Sequence, residues 1–160
     1  MRRLILSPAF VFAVVTAGVL LCGGPVWAGE HDRLEITTRT GTHRFIVEVM
    51  TSQDDRARGL MYRRTLAPDA GMLFDYGYEQ PVAMWMKNTY IPLDMLFISK
   101  QGRVVNTAER AVPHSLRVIP SAQPVRAVLE VVAGTVSRLK IKAGDVVRHI
   151  LFSSKATLND

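Results

Sequence analysis

The chain has 160 residues, one cysteine and a formal net charge of +6 at pH 7. This length is enough for a single domain with a buried core. The positive charge is spread along the chain instead of being clustered with aromatic residues. The composition therefore argues against nucleic acid as a partner.

The first 28 residues have the pattern of a secretory signal peptide. Two arginines at positions 2 and 3 precede an apolar run from about residue 9 to residue 22, and residues 26–28 (VWA) suit a signal peptidase. The run is shorter than the ~20 residues that a membrane span needs. We expect cleavage after Ala28 and export to the periplasm or the medium, with no stable membrane insertion afterwards. An uncleaved anchor or a lipoprotein at Cys22 is the alternative.

Cleavage would leave 132 residues with a formal charge of +4, because residues 1–28 hold two arginines and no acid. It would also remove the only cysteine, so the mature chain would have neither a disulfide nor a thiolate that could bind metal or attack a substrate. We expect residues 29–33 to be a flexible lead, residues 34–152 to form one β-rich domain and residues 153–160 to be a tail.

The first elements of the domain have clear local signals. Residues 34–40 and 44–50 alternate apolar and polar side chains around Gly41, which predicts a hairpin. Ser52 then offers an N-cap, with Asp54 and Asp55 in the first turn. Apolar residues at positions 57, 60 and 61 have helical spacing, so we predict an amphipathic helix from Ser52 to about Met61.

From residue 71 the chain is dominated by short strands and turns. The segment 110–124 contains three prolines, and a loop of this length in a compact domain is often functional. Residues 134–140 could form one helical turn or two. The predicted strands are 72–74, 82–87, 91–99, 103–108, 125–132 and 145–152. The pattern predicts a mainly β fold, a compact antiparallel β-sandwich or barrel with one short helix in the N-terminal half.

The stretch from residue 81 to residue 99 (PVAMWMKNTYIPLDMLFIS) contains the strongest candidate for a site. If Asn88 and Thr89 form a two-residue turn, the side chains of Val82, Met84, Met86, Ile91, Leu93 and Met95 share one face of a hairpin. The other face carries Ala83, Trp85, Pro92, Asp94 and Leu96. We therefore predict that the methionines fill the core and that the indole of Trp85 is available to a ligand.

Further polar residues complete the candidate ligand-binding set. Arg58 and Arg63 could hold a carboxylate or phosphate, although a solvated helix face is the simpler interpretation. Lys87 and Asn88 follow Trp85 by two and three residues. Asp94 and Glu109 are the remaining candidates. The set is Arg58, Arg63, Trp85, Lys87, Asn88, Asp94 and Glu109.

Two alternatives give some of these residues a different role. Asp94 and Glu109 could be the acid and base of a small hydrolase of envelope polymers, which requires two carboxyl groups within ~5–10 Å of one another. A single aspartate in an apolar strand more often accepts structural hydrogen bonds. The thioethers of Met84 and Met86 could hold Cu(I), although methionine at strand spacing is usually core. From the sequence we assign no catalytic residue, metal site or cofactor.

Several motifs resemble a known family. RGLMYR at 58–63, GMLF at 71–74, MWMKNT at 84–89 and IPLD at 91–94 are similar to the bacterial and archaeal family called domain of unknown function 192. VLE at 128–130 and KAGD at 142–145 fit its C-terminal half, so the resemblance covers about residues 34–152. It implies a small, often exported β-sandwich or barrel and carries no activity, cofactor or catalytic residue to this chain.

The expected function is therefore a non-catalytic binding or accessory module of the cell envelope. A glycan, a small anion or another envelope protein could be its partner. The expected binding surface combines Trp85, the corner from Arg58 to Arg63 and the loop 110–124, because a sugar ring can stack on an indole while its hydroxyl groups form hydrogen bonds.

Overall fold

The computed structural model describes residues 33–153. The predicted signal peptide, almost all of the predicted lead and the predicted tail beyond residue 153 lie outside the described residues. The strands are Arg33–Thr38 (β1), Gly41–Met50 (β2), Ala70–Gln80 (β3), Ala83–Met84 (β4), Leu93–Ile98 (β5), Val104–Ala111 (β6), Ile119–Pro120 (β7), Val125–Val132 (β8) and Val146–Arg148 (β9). The helices are Gln53–Arg58 (α1) and Thr135–Leu139 (α2), and a 3-10 turn covers Ile150–Phe152.

Seven of these strands form one curled sheet, which confirms the mainly β fold. The strand order is β6-β5-β8-β3-β2-β1-β9, and β4 pairs with β7 in a separate two-stranded ribbon. Neighbouring strands in the described part of the chain are antiparallel, except that β2 and β3 are parallel. Residues 51–69 make this exception possible, because they contain α1 and carry the chain back to the start of the next strand.

The N-terminal hairpin and the first helix follow their local signals. β1 and β2 are antiparallel neighbours joined at the turn before Gly41, as the alternation predicts. The Ser52 side chain accepts a hydrogen bond from the Asp55 N–H at 3.0 Å and so caps α1. The helix ends at Arg58, three residues before the predicted end. A β-carbon at Gly59 would lie only 3.0 Å from the ring of Phe74, so the turn after the helix needs glycine.

The central strands β3, β5 and β8 bury both faces of the sheet. Leu73, Leu96 and Leu129 lie on the face that α2 covers, which we call the α2 face. Met72 and Met95 lie on the opposite face, which we call the cleft face. Successive side chains of a strand point to opposite faces of the sheet. Because both faces are buried here, the sequences of these strands are nearly continuous apolar runs.

The predicted hairpin between residues 82–87 and 91–99 is wrong, but the prediction that its methionine-bearing face lies in the core is confirmed. β4 pairs with β7, whereas β5 lies between β6 and β8 in the large sheet. Val82, Met86, Leu93 and Met95 are buried in the same cluster on the cleft face, and Met84 packs against it. Asp94 points to the α2 face with Leu96, so the predicted side shared by Asp94 and Trp85 does not form.

Candidate functional site

A cleft of about 490 Å³ opens above the cleft face of the sheet. Its walls come from the end of α1, the second half of β3 and the segment that begins with β4, and β8 supplies the floor. We call it the Trp85 cleft. The side chains that its chemistry depends on are Arg56, Arg58, Tyr76, Tyr78, Met84, Trp85, Lys87 and Glu130.

The indole of Trp85 lies at the wall because the backbone on either side of it is fixed. Met84 pairs with Ile119 across the β4–β7 ribbon, and the N–H of Met86 donates to the carbonyl of Ser115 at 3.0 Å. Met86 is completely buried, whereas Trp85 keeps 50% of its surface exposed. The prediction that the sulfur points inward and the indole outward is therefore confirmed.

Cations line the same walls. The ammonium of Lys87 lies 5.3 Å from the centre of the Trp85 ring, and the guanidinium of Arg56 lies 5.2 Å from that of Tyr76. Arg56 also donates to the carbonyl of Asp75 at 2.8 Å, which fixes its position. Arg58 is exposed and forms no ion pair with any residue between 33 and 153. Arg56 also interacts electrostatically with the Asp75 carboxylate, whereas Arg58 and Lys87 form no ion pair within residues 33–153.

Glu130 is the residue of this cleft that sequence reasoning missed. It lies in the middle of β8, between Met72 of β3 and Met95 of β5, and only 4% of it is exposed. It lines the floor of the cleft and its carboxyl forms no hydrogen bond or ion pair within residues 33–153. Burial raises the pKa of Glu130 to about 8, so its neutral, protonated form predominates at pH 7.

Tyr76 connects the floor to the wall of the cleft. Its hydroxyl donates to the sulfur of Met84 at 3.4 Å. Burial is the main cause of a raised pKa for this phenol, and the neighbouring Glu130 contributes to the increase. The phenol therefore stays neutral over the physiological range, and the cleft can offer Tyr76 and Glu130 together as uncharged hydrogen-bonding groups.

The two methionines next to Trp85 do not open on the cleft together. Met86 is sealed in the apolar cluster, while the half-buried Met84 already accepts the Tyr76 hydroxyl. Met86 lies in the core, as the alternation predicts, and Met84 packs against that core while also lining the cleft. Among residues 33–153, no group of three or more histidine, aspartate or glutamate side chains is arranged to hold a metal ion.

Arg63 and Asn88 lie close in sequence to the cleft but have structural partners. Arg63 forms a two-pronged ion pair with Glu48, with Nη2 at 2.6 Å from Oε2. The hydrogen bond from Arg63 is the main reason that the pKa of Glu48 is lowered. Asn88 has a left-handed backbone and donates to the hydroxyl of Tyr62 at 2.8 Å. Neither residue lines the Trp85 cleft.

Asp94 and Glu109 lie in different environments. Asp94 is fully buried, and its two carboxylate oxygens accept the backbone N–H groups of Arg110 and Val136, each at 2.8 Å. Glu109 is exposed and lines a second groove of about 300 Å³ beside the loop 112–120. Asp94 lines neither this groove nor the Trp85 cleft. Within the described residues, Asp94 and Glu109 therefore do not share a cleft, as an acid–base pair would require. Asp94 instead accepts structural hydrogen bonds.

Comparison with known proteins agrees with this description. The DUF192 family model, described as an uncharacterized ACR, matches residues 35–149. A crystal structure of a "putative transcription regulator" from Sinorhizobium meliloti 1021 is 51% identical, with a TM-score of 0.72, and the match covers 74% of this chain and 93% of that one. A protein of unknown function from Novosphingobium aromaticivorans is 39% identical, with a TM-score of 0.71, over 72% of this chain and 83% of that one. No curated protein matches the chain. The chain therefore belongs to the DUF192 family, whose function is unknown.

Proposed function

We propose that this protein is a non-catalytic binding module that holds a small ring-bearing ligand of the glycan class in the Trp85 cleft. One observation carries the proposal: a half-exposed indole and the cations Arg58 and Lys87 line the same cleft as the Glu130 carboxyl, which has no hydrogen-bond partner within residues 33–153. Burying an unpaired polar group is costly unless another molecule supplies its hydrogen bonds.

The dimensions and the chemistry of the cleft suit a small ligand. Its volume of about 490 Å³ lies in the range of small-molecule pockets, ~300–1,000 Å³. The exposed Trp85 ring provides an apolar face on which a sugar ring can stack. Glu130 and Gln80 supply hydrogen-bonding groups for its hydroxyl groups.

A hydrolytic role in the same cleft has weaker support. A glycosidase of the usual kind needs two carboxyl groups on either side of the bond that breaks. Glu130, with its raised pKa, could serve as the acid, but it is the only aspartate or glutamate among the described residues that line the cleft. The arrangement therefore favours binding over catalysis.

The predicted export favours a ligand from the cell envelope. The N-terminal charge pattern, the short apolar run and the small residues before Gly29 are typical of a secreted protein. No helix within residues 33–153 is long and apolar enough to cross a membrane. An envelope compartment would bring the protein into contact with glycans, which is why we choose this class.

Fluorescence of Trp85 tests the proposal. In the full chain with Trp27→Phe, Trp85 is the only tryptophan. D-glucose, N-acetyl-D-glucosamine, D-glucuronate, inorganic phosphate and Cu(I) are titrated separately. We expect at least one sugar to change the emission saturably and to raise the melting temperature. A response to Cu(I) alone, or to none of the five, would contradict the proposal.

Two alanine variants locate the binding. Trp85→Ala removes a half-exposed ring, so the fold should survive while the rise in melting temperature with sugar is lost. Leu116→Ala is the matched control, because Leu116 is 65% exposed and does not line the cleft. Equal melting-temperature shifts in the two variants would place the binding elsewhere.

A further inference from the structure

Glu130 has a geometry that neither the packing of the sheet nor the family explains. A carboxyl group in the centre of a seven-stranded sheet normally has a cation or several hydrogen-bond donors as partners. Glu130 has neither within residues 33–153, although only 4% of it is exposed, and its carboxyl faces the cleft. No side-chain oxygen or nitrogen among these residues is both fully enclosed and without a partner, so the Glu130 oxygens are accessible from the cleft, where a bound molecule can complete their hydrogen bonds.

We propose that the ligand is a sugar acid, whose carboxylate accepts a hydrogen bond from the Glu130 carboxyl while Arg58 and Lys87 balance its charge. This inference rests on the proposed function and names the class of ligand that the same cleft takes. It also gives Glu130 a defined role: its neutral carboxyl group donates the hydrogen bond that recognises the ligand carboxylate.

The charges around Glu130 favour an anion. The titratable groups that line the cleft with it are Arg56 and Arg58 from α1, Tyr76 and Tyr78 from β3, and Lys87 after β4. Its neighbours on β3 and β5 are the uncharged Met72 and Met95. With Glu130 protonated, the residues that line the cleft therefore carry three cations and no anion, and the Asp75 carboxylate, which interacts with Arg56, lies outside the lining.

A cationic ligand fits this cleft less well. The aromatic rings that could receive a ligand ammonium already have protein cations beside them, with Arg56 beside Tyr76 and Lys87 beside Trp85. A second cation at either ring would be repelled by the first. An amino sugar in its charged form should accordingly be excluded, whereas an acidic sugar can use both the indole and the cations.

The arrangement links ligand binding to pH. Because burial sets the pKa of Glu130 near 8, the neutral fraction of its carboxyl falls about tenfold between pH 7 and pH 9. Above pH 8 the ionised carboxyl would lie against the ligand carboxylate and repel it. Affinity for a sugar acid should therefore fall about tenfold over this interval, while affinity for a neutral sugar should not.

Calorimetric titration of the full chain with D-glucuronate and D-glucose tests the inference, since the two differ in a carboxylate on the same ring. The titrations are made at pH 7 and pH 9 with the natural sequence and with Glu130→Gln, which keeps a neutral donor of similar size at every pH. We expect glucuronate to bind at least tenfold more tightly than glucose at pH 7. We expect Glu130→Gln to retain this affinity at pH 9, where the natural sequence loses it.

The outcomes separate this inference from the proposed function. If glucose and glucuronate bind equally and Trp85→Ala abolishes both, the cleft is a sugar site but the inference about the ligand class is wrong. That inference is also wrong if the natural sequence and Glu130→Gln share one pH profile, or if glucuronate does not bind. If glucuronate binds and Trp85→Ala changes nothing, both proposals are wrong.

Arg58→Gln should weaken the binding of glucuronate but not that of glucose. Arg39→Gln, an equal charge change outside the cleft, should affect the binding of neither sugar.

Discussion

The buried carboxyl of Glu130 should make the stability of the ligand-free protein depend on pH, and Glu130→Gln should remove that dependence. The pKa of this group is about 8 in the folded chain against an ordinary value of 4.5. Between these values the folded chain binds a proton that the unfolded chain has released, so the free energy of unfolding falls as pH rises. The loss is about 1.4 kcal/mol for each pH unit and approaches 4–5 kcal/mol at pH 8.

Urea denaturation of the full chain at pH 4.5, 6 and 8 measures this effect. Glu130→Gln should match the natural sequence at pH 4.5, where both side chains are neutral in the folded chain, and exceed it by about 4 kcal/mol at pH 8. Glu109→Gln is the control, because Glu109 is exposed. A stability difference between Glu130→Gln and the natural sequence that stays constant from pH 4.5 to pH 8 would refute the reasoning. It would mean that the carboxyl has a partner or is solvated.

Two further substitutions test the structural role of Asp94 and the close approach of β3 to β8 at Gly71. Asp94→Ala leaves two buried backbone N–H groups without an acceptor, so urea denaturation should show a loss of about 3–5 kcal/mol, while Glu109→Ala should change stability by less than about 0.5 kcal/mol. Equal effects would mean that Asp94 is not structural. Gly71→Ala would place a β-carbon 2.9 Å from the carbonyl oxygen of Glu130, so the melting temperature should fall by several degrees, corresponding to about 1–3 kcal/mol. An unchanged melting temperature would show that β3 and β8 are further apart than described.

Elements with local signals could be predicted from the sequence, whereas the strand order could not. The hairpin around Gly41 and the helix cap at Ser52 depend on residues close to one another in the chain. β5 instead pairs with β8, which follows β6, β7 and the long loop in the chain. β4, the strand before the turn at Asn88, pairs with β7 outside the large sheet, so it forms no hairpin with β5. Alternation identifies the faces of a strand but not its neighbours.

The candidate site, too, could be predicted from the sequence only in part. The outward position of Trp85 follows from its alternation with the buried Met86, so the sequence was sufficient. Glu130 has only one sequence signal, a single acid within the otherwise apolar second half of β8 (VLEVV). Its position at the floor of a cleft depends on α1 and β4 folding over the sheet, and no local pattern encodes that arrangement.

The most direct test of the binding site is a map of backbone and indole N–H chemical shifts during titration of the full chain with D-glucuronate at pH 7. A ligand in the Trp85 cleft should shift the indole N–H of Trp85, the amides of residues 56–61 and 76–87, and the amide of Glu130, with one saturation curve. Shifts confined to residues 108–120 would place the site in the second groove. A spectrum that does not change at all would mean that this cleft does not bind the ligand.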